Sequence, residues 1–248
     1  MKPAPFEYHS PTSVSEATAL LLVEDAKVLA GGQSLIPLLN FRLARPAHIV
    51  DINRIEELSR IYQRDGGIAI GATARQAEVE GDHLVAAHCP LLPMALHLVA
   101  HPVIRNRGTV CGSLAHADPA AELCAVLLAL GGSVRARSAR DEREIAAVDL
   151  FLGAMESALE PDELLTEAWF PSTTGPVAIA EESRRHGDFA LAGAVRSGDR
   201  LVLFGVGTRP LLVDPADPTR GLQPSADPEC HPDFRRHLAQ ALADRVMA

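Results

Sequence analysis

The sequence predicts an α+β protein in two parts, and three observations carry that prediction. Residues 26–34 run from a short apolar strand through two glycines into a helix, which is typical of α/β architecture. Residues 61–73 alternate around Asp65-Gly66-Gly67 as a β-hairpin does. After Pro171 the pattern changes to short alternating strands with a turn at residues 197–199, followed by a final helix, which indicates a small antiparallel α+β unit.

Each element has its own local signal. Residues 26–29 and 48–52 are predicted to be strands, and we expect Ser34 to cap a helix over residues 35–43. Thr73 is expected to cap the helix that follows the hairpin. Residues 91–100 and 121–132 have the apolar spacing of helices, the second closed by two glycines, whereas residues 133–139 and 163–171 alternate as strands.

Composition excludes several classes of protein. The 248 residues are 47% hydrophobic and 22% charged, which allows a substantial core. A net charge of -9 without a cluster of Lys and Arg disfavours nucleic-acid binding. The sequence lacks a secretory pattern and a long apolar run, so we expect a cytoplasmic protein with no transmembrane segment. Four scattered cysteines without a CxxC pair predict reduced thiols and no metal or cluster held by this chain alone.

Two glycine-bearing segments are the candidate binding elements. The first is VLAGGQSL (residues 28–35); the second is TVCGS (residues 109–113), in which Cys111 stands within a predicted turn. Backbone N–H groups between a strand and a helix bind phosphate, and two such turns would hold a pyrophosphate from both sides. Neither turn has the G-x-G-x-x-G or P-loop spacing, and no G-x-S-x-G or H-E-x-x-H motif is present.

The two segments, together with IRNRGT (residues 104–109), FRLARPAHIVDINRI (residues 41–55) and RRHGDFALAG (residues 184–193), carry a family resemblance. In this order they resemble the FAD-binding medium subunit of the molybdenum hydroxylases, the carbon monoxide dehydrogenase and xanthine dehydrogenase family. The resemblance extends from about Phe6 to Ala194 and resumes in the last helix. It implies an FAD-binding domain of the vanillyl-alcohol-oxidase (PCMH) type over residues 1–174, in two subdomains of roughly 1–55 and 56–174. A small, shortened α+β domain would occupy residues 175–248.

The resemblance also implies a set of cofactor contacts. The pyrophosphate of a non-covalently bound FAD would lie between the two segments, while Glu122 would reach the adenosine ribose and Leu165 would lie near the cofactor. Phe189 and Asp188 would lie beside the isoalloxazine, and no side chain would act as a catalytic acid or base. The expected pyrophosphate residues are Val28, Leu29, Ala30, Gly31, Gly32, Gln33, Ser34, Leu35, Thr109, Val110, Cys111, Gly112 and Ser113.

By the same resemblance the chain works in a complex. A large subunit would hold the molybdenum cofactor and a small subunit the [2Fe-2S] clusters, as a dimer of heterotrimers, and electrons would pass through FAD to an acceptor. Two alternatives stay open: a stand-alone FAD-dependent oxidoreductase acting on a small substrate, suggested by the short C-terminal part, and a scaffold without flavin. The chain departs from the family pattern at Cys111, where glycine is more usual, and at Ala180, where lysine or glutamate is more common.

Overall fold

The structure is a computed structural model of the 248-residue chain, and it describes residues 1–224, 228 and 230–248. The strands are β1 Glu7–His9, β2 Ala26–Leu29, β3 His48–Asp51, β4 Ile61–Arg64, β5 Gly67–Gly71, β6 Ser133–Arg137, β7 Glu142–Ala146, β8 Phe151–Gly153, β9 Glu156–Ser157, β10 Leu164–Pro171, β11 Val177–Glu182, β12 Ala192–Ser197, β13 Arg200–Phe204 and β14 Leu211–Val213. The helices are α1 Val14–Leu20, α2 Leu35–Asn40, α3 Gln76–Gly81, α4 His83–His88, α5 Leu91–Leu98, α6 Pro102–Arg105, α7 Val110–His116, α8 Glu122–Leu130, α9 Ala147–Leu150 and α10 Pro232–Met247, with a 3-10 helix at Glu56–Ser59.

The N-terminal sheet is small and parallel, with strand order β1–β3–β2. Val50 of the central strand is fully buried, and Ala17 of α1 is buried in the same core. The chain leaves β2 at the carboxyl edge of this sheet and passes directly into residues 30–34. The first glycine segment is therefore held at one edge of the sheet, where the backbone is no longer paired to a neighbouring strand.

The central sheet is antiparallel, in the order β4–β5–β10–β6–β7. β4 and β5 form the predicted hairpin, whose turn residues Asp65 and Gly66 both have positive φ (47° and 73°), as a two-residue type I′ turn requires. The register of β10 against β6 shifts between Leu165 and Glu167. Helix α8 is buried along its entire length, which explains why its sequence is apolar on all sides.

The third sheet, β11–β12–β13–β14, is antiparallel and lies between two helices. Val195 and Val202 belong to the main core, which also contains α8, whereas Ala194 and Leu203 belong to a second core with Leu242 of α10. Alternate residues of these strands thus serve opposite faces, as the alternating sequence predicts. The predicted proline-rich passage between this sheet and α10 includes residues 225–227 and 229, which lie outside the described residues.

Three helix predictions need correction. Ser34 makes no capping hydrogen bond through its side chain, and α2 ends at Asn40 because Arg42 adopts a left-handed φ of 58°. Thr73 is not a cap: α3 begins three residues later, and the Thr73 N–H donates to the Leu58 carbonyl at 2.9 Å. Of the helices in the described ranges, none combines the length and apolarity needed to cross a bilayer.

Candidate functional site

The first glycine segment is a tight connection between β2 and α2. Gly32 has a φ of 73°, a conformation that side chains with a Cβ rarely adopt, and its carbonyl accepts from the Ile36 N–H at 3.0 Å. Gln33 donates from its side-chain amide to the Gly31 carbonyl at 3.1 Å. Within the part of the chain that the structure describes, the backbone N–H groups of residues 31–34 have no protein acceptor. They are therefore free to donate to a bound anion.

The second segment is helical, which corrects the prediction of a turn. Thr109 is the N-cap of α7, and its hydroxyl accepts from the Gly112 N–H at 3.0 Å. A Cβ on Gly112 would lie 2.6 Å from that hydroxyl oxygen, so glycine lets the cap form. Residues 110–113 thus make up the first turn of a helix. The Ser113 N–H donates to the Thr109 carbonyl at 3.2 Å, so within the described residues the free N–H groups of this turn are those of residues 110 and 111.

Cys111 faces the interior rather than the surface. Its side chain is buried, its Sγ donates to the Ile70 carbonyl at 3.3 Å, and burial raises the pKa of the thiol. A neutral buried thiol is a poor nucleophile, so the side chain acts as a small core residue. Any contact of Cys111 with a ligand would go through its backbone, as the sequence predicts.

The structure brings the first segment into direct backbone contact with residues 107 and 108, which immediately precede the second segment. A Cβ built on Gly31 would overlap the carbonyl oxygen of Arg107 and lie 2.8 Å from the Cα of Gly108. Glycine at position 31 is therefore required for this approach, because neither backbone group can turn away as a flexible side chain can. The two segments, 78 residues apart at Gly31 and Thr109, form one surface.

Two polar side chains that sequence reasoning missed join the segments. The Asn53 side-chain amide donates to the Ala30 carbonyl at 2.9 Å, and the Arg75 guanidinium donates to the Asn53 Oδ1 at 2.6 Å and to the Arg107 carbonyl at 2.9 Å. This chain of hydrogen bonds runs from the first segment to Arg107, two residues before the second. Asn53 follows the end of β3, and that position at a strand end was the only local signal for it.

Removing this link should weaken ligand binding without unfolding the chain. In Arg75→Met the apolar stem is kept but the bonds to Asn53 and Arg107 are lost, so the two segments are no longer held in register. We expect affinity for FAD to fall by about 10-fold, corresponding to one or two lost charge-assisted hydrogen bonds. Fluorescence titration of the apo chain with FAD measures this, and Arg42→Met, which removes an exposed bond to the Lys2 carbonyl, is the control. Unchanged affinity in Arg75→Met would contradict a positioning role.

The loop at residues 187–189, which is expected beside a flavin ring, is exposed and packs against His101, the residue before α6. Phe189 is 72% exposed, and Asp188 is also exposed. Gly187 has a φ of 87° and packs so closely on His101 that a Cβ would lie 2.6 Å from the imidazole. The rings of His101 and His186 have their centroids 5.9 Å apart. Since His101 immediately precedes α6, which leads to the second segment, this loop is attached to the same side of the molecule.

The two remaining predicted residues lie in the interior. Leu165 is 5% exposed and pairs with Ala136 in the central sheet. Glu122 is 9% exposed at the start of α8, and Cys124 of the same turn has its Sγ 3.7 Å from the Ser113 carbonyl, so this helix start adjoins the second segment. Burial, assisted by the nearby Glu181 carboxylate, raises the pKa of Glu122 to about 8.

The raised pKa of Glu122 predicts a pH dependence. The folded chain holds this proton more tightly than the unfolded chain does, so the contribution to stability is full below about pH 4.5 and is lost as the pH rises through about 8. Glu181, whose pKa burial raises to about 7, contributes in the same direction. The unfolding temperature of the apo chain should fall between pH 5 and pH 8.5, and it should fall less steeply for Glu122→Gln than for the parent chain. Parallel curves would show that Glu122 titrates normally.

The combined surface has the donors that an anionic ligand needs. Two backbone segments offer N–H donors. The guanidinium of Arg75, which donates to the Arg107 carbonyl just before the second segment, supplies positive charge to a chain whose net charge is -9. The glycines permit close approach of backbone to ligand.

Comparison with known proteins points to the same class of ligand. Residues 4–173 match the family described as the FAD binding domain in molybdopterin dehydrogenase. The chain is 48% identical over 198 residues to the 6-hydroxypseudooxynicotine dehydrogenase complex subunit alpha of Paenarthrobacter nicotinovorans, covering 78% of this chain and 67% of that protein. It is 41% identical over 225 residues to the caffeine dehydrogenase subunit beta of Pseudomonas sp. (strain CBB1), covering 85% and 76% respectively.

A solved structure agrees over the entire fold. The carbon monoxide dehydrogenase of Hydrogenophaga pseudoflava that lacks the Mo-pyranopterin moiety contains a chain that superposes with a TM-score of 0.94 at 32% identity. The superposition covers 100% of this chain and 97% of that one. The related proteins are named for different substrates.

Proposed function

Because the chain belongs to the family of FAD-binding domains in molybdopterin dehydrogenases, we propose that it binds FAD between its two glycine segments and passes electrons from a partner's [2Fe-2S] clusters to an acceptor. Membership makes it an FAD-binding medium subunit of a molybdenum-hydroxylase-type oxidoreductase. The observation that carries the proposed site is the backbone contact of Gly31 with residues 107 and 108.

The proposal assigns a part of the cofactor to each group of residues. The pyrophosphate lies against the backbone of residues 28–35 and 109–113. Glu122, protonated at neutral pH, donates a hydrogen bond toward the adenosine ribose, and Leu165 supports the cofactor from the core. Phe189 and Asp188 border the isoalloxazine and restrict solvent at that end.

The bound flavin supplies the chemistry, since it accepts electrons singly or in pairs and no side chain of this chain has to act as an acid or base. The chain contributes the two backbone segments that hold the pyrophosphate of FAD. It also contributes a loop whose position is set by Gly187 and His101. Orientation of the ring relative to an electron donor depends on that loop. Phe189 is the large exposed aromatic at its end.

The proposal extends to the organisation of the chain and its complex. Residues 1–174 form a PCMH-type FAD domain of two subdomains, roughly 1–55 and 56–174, and residues 175–248 form a small C-terminal domain. The large partner subunit carries the molybdenum cofactor and selects the substrate, while the small subunit carries the [2Fe-2S] clusters. We place two such heterotrimers in the assembly.

The experiment compares the purified chain with its reconstituted complex. We expect the chain alone to be yellow, to release FAD on heat denaturation, and to oxidise no substrate, whereas co-expression with the neighbouring subunits yields a complex that contains molybdenum and iron and reduces the flavin when substrate is added. Substrate turnover by the isolated chain would favour a stand-alone oxidoreductase. A colourless chain that FAD cannot reconstitute would contradict the proposal.

A further inference from the structure

Three potential metal ligands meet on one face of the N-terminal sheet, away from the glycine segments. Glu7 and His9 are two residues apart on β1, so their side chains point to the same face. Glu7 is in register with His48 on the adjacent parallel strand β3, which places His48 on that face as well. Across the described ranges, this is the one group of three such residues whose ligand atoms all lie within 4.8 Å of one another.

The separations of the ligand atoms are compatible with a single metal ion. The His9 Nε2 and the His48 Nδ1 are 3.1 Å apart, and the His48 Nδ1 is 3.6 Å from the Glu7 Oε2. Zinc–nitrogen bonds of about 2.0–2.1 Å at the tetrahedral angle separate the ligand atoms by about 3.4 Å. These two separations lie on either side of that value, and all three ligand atoms lie within 4.8 Å of one another, which is within reach of one ion after side-chain rotation.

We propose that Glu7, His9 and His48 bind a divalent transition-metal ion of the zinc type. Two imidazole nitrogens and one carboxylate oxygen are ligands that zinc prefers, and the single negative charge of Glu7 favours a dication. Three protein ligands leave a fourth position for water or for a donor from another molecule. The ion joins the edge strand β1 to the central strand β3 of this sheet.

The principal alternative is a hydrogen bond between the imidazoles, whose rings are stacked with centroids 5.4 Å apart. Both arrangements use the same side chains, but only the metal site also requires the carboxylate. His97 provides an example of a histidine–carboxylate pair outside a metal-binding group. Its Nδ1 lies 3.6 Å from the Glu80 Oε1, the same distance as between His48 and Glu7, but no second imidazole among the described residues joins this pair.

The test is calorimetric titration with Zn²⁺ of the full FAD-loaded chain after treatment with a chelator. We expect one Zn²⁺ per chain and a raised unfolding temperature, because the ion binds only the folded sheet. Loss of one ligand in Glu7→Gln or His48→Gln should weaken affinity at least about 10-fold. His97→Gln, which breaks a pair of the same length, should leave it unchanged.

Folding controls keep the result interpretable. The Glu7 side chain is 74% exposed, so Glu7→Gln should unfold at the same temperature as the parent in the absence of zinc and carries the test if His48→Gln is unstable. The proposal is overturned if the parent chain binds no Zn²⁺, or if Glu7→Gln binds it as tightly as the parent does.

Discussion

Gly31→Ala should abolish retention of FAD by the purified chain. The added Cβ would overlap the Arg107 carbonyl oxygen and lie 2.8 Å from the Gly108 Cα, so one of the two backbone segments has to move. Donors that converge on one pyrophosphate lose their common target when the segments separate, and each lost charge-assisted hydrogen bond costs about 1.5–3 kcal/mol. We expect at least about 100-fold weaker binding, measured as the flavin-to-protein absorbance ratio after gel filtration and by titration of the apo chain.

A matched substitution separates this effect from the general cost of replacing glycine. Gly81→Ala adds the same methyl group to a position with nothing within 4 Å, and it should retain FAD in full. Gly32 and Gly66 provide a second comparison for the first segment. They share a φ of 73°, but an added Cβ would meet neighbours only at Gly32, where it would lie 3.0 Å from Ile36. If Gly31→Ala retained as much FAD as Gly81→Ala, this would contradict the proposal that the two glycine segments hold FAD together.

Glu167→Ala should cause a large loss of stability. This carboxylate is 7% exposed in β10 and accepts from the Tyr62 hydroxyl and the Arg64 guanidinium, while the guanidinium of Arg135 lies 3.8 Å away. Without it, two cations and a hydroxyl lose their common acceptor within the sheet. Breaking such a pair costs about 3 kcal/mol, which corresponds to roughly 6–12 °C in the unfolding temperature of a chain of this size.

An exposed ion pair provides the comparison. Asp162 accepts from Arg140 at 3.1 Å, but the Arg140 side chain is 79% exposed, so Asp162→Ala should change the free energy of unfolding by less than about 1 kcal/mol. Calorimetric melting of both variants in the apo state decides the question. Equal and small shifts would mean that water replaces Glu167 at little cost. Tyr62 offers a second readout, because its hydrogen bond to Glu167 raises the pKa of the phenol, and the variant should titrate at lower pH.

Local signals predicted the elements well where local chemistry decides the conformation. The strand at Ala26–Leu29, the hairpin at Asp65-Gly66 and the helix closed at Gly131 all follow from residues within one turn of each feature. Ser34 and Thr73 do not cap helices through their side chains, because a hydroxyl residue before a helix only favours a cap and does not require one. The helix after Ser34 starts where the sequence predicted but without a side-chain cap, whereas the Thr73 N–H bonds to the Leu58 carbonyl and α3 starts at Gln76.

The candidate site was predictable as two segments but not as one surface. Thr109 has the side chain of an N-cap, yet the glycine at position 112 suggested a turn, and only the packing of residues 110 and 111 into the core shows that a helix begins there. Arg75 and Asn53 are 22 residues apart, and no periodicity connects them. The interactions of the buried Glu167 could not be predicted either, because its partners lie on other strands.

Hydrogen exchange of the apo and FAD-bound chain tests the central claim most directly. The account predicts that FAD slows exchange of the backbone amides at residues 31–34 and at residues 110 and 111 together, because both sets donate to one pyrophosphate. A different cavity, of about 390 Å³ and lined by Arg60, Arg135 and Arg137, lies elsewhere on the chain. Protection of residues 58–62 and 135–137, with both glycine segments unchanged, would contradict the account.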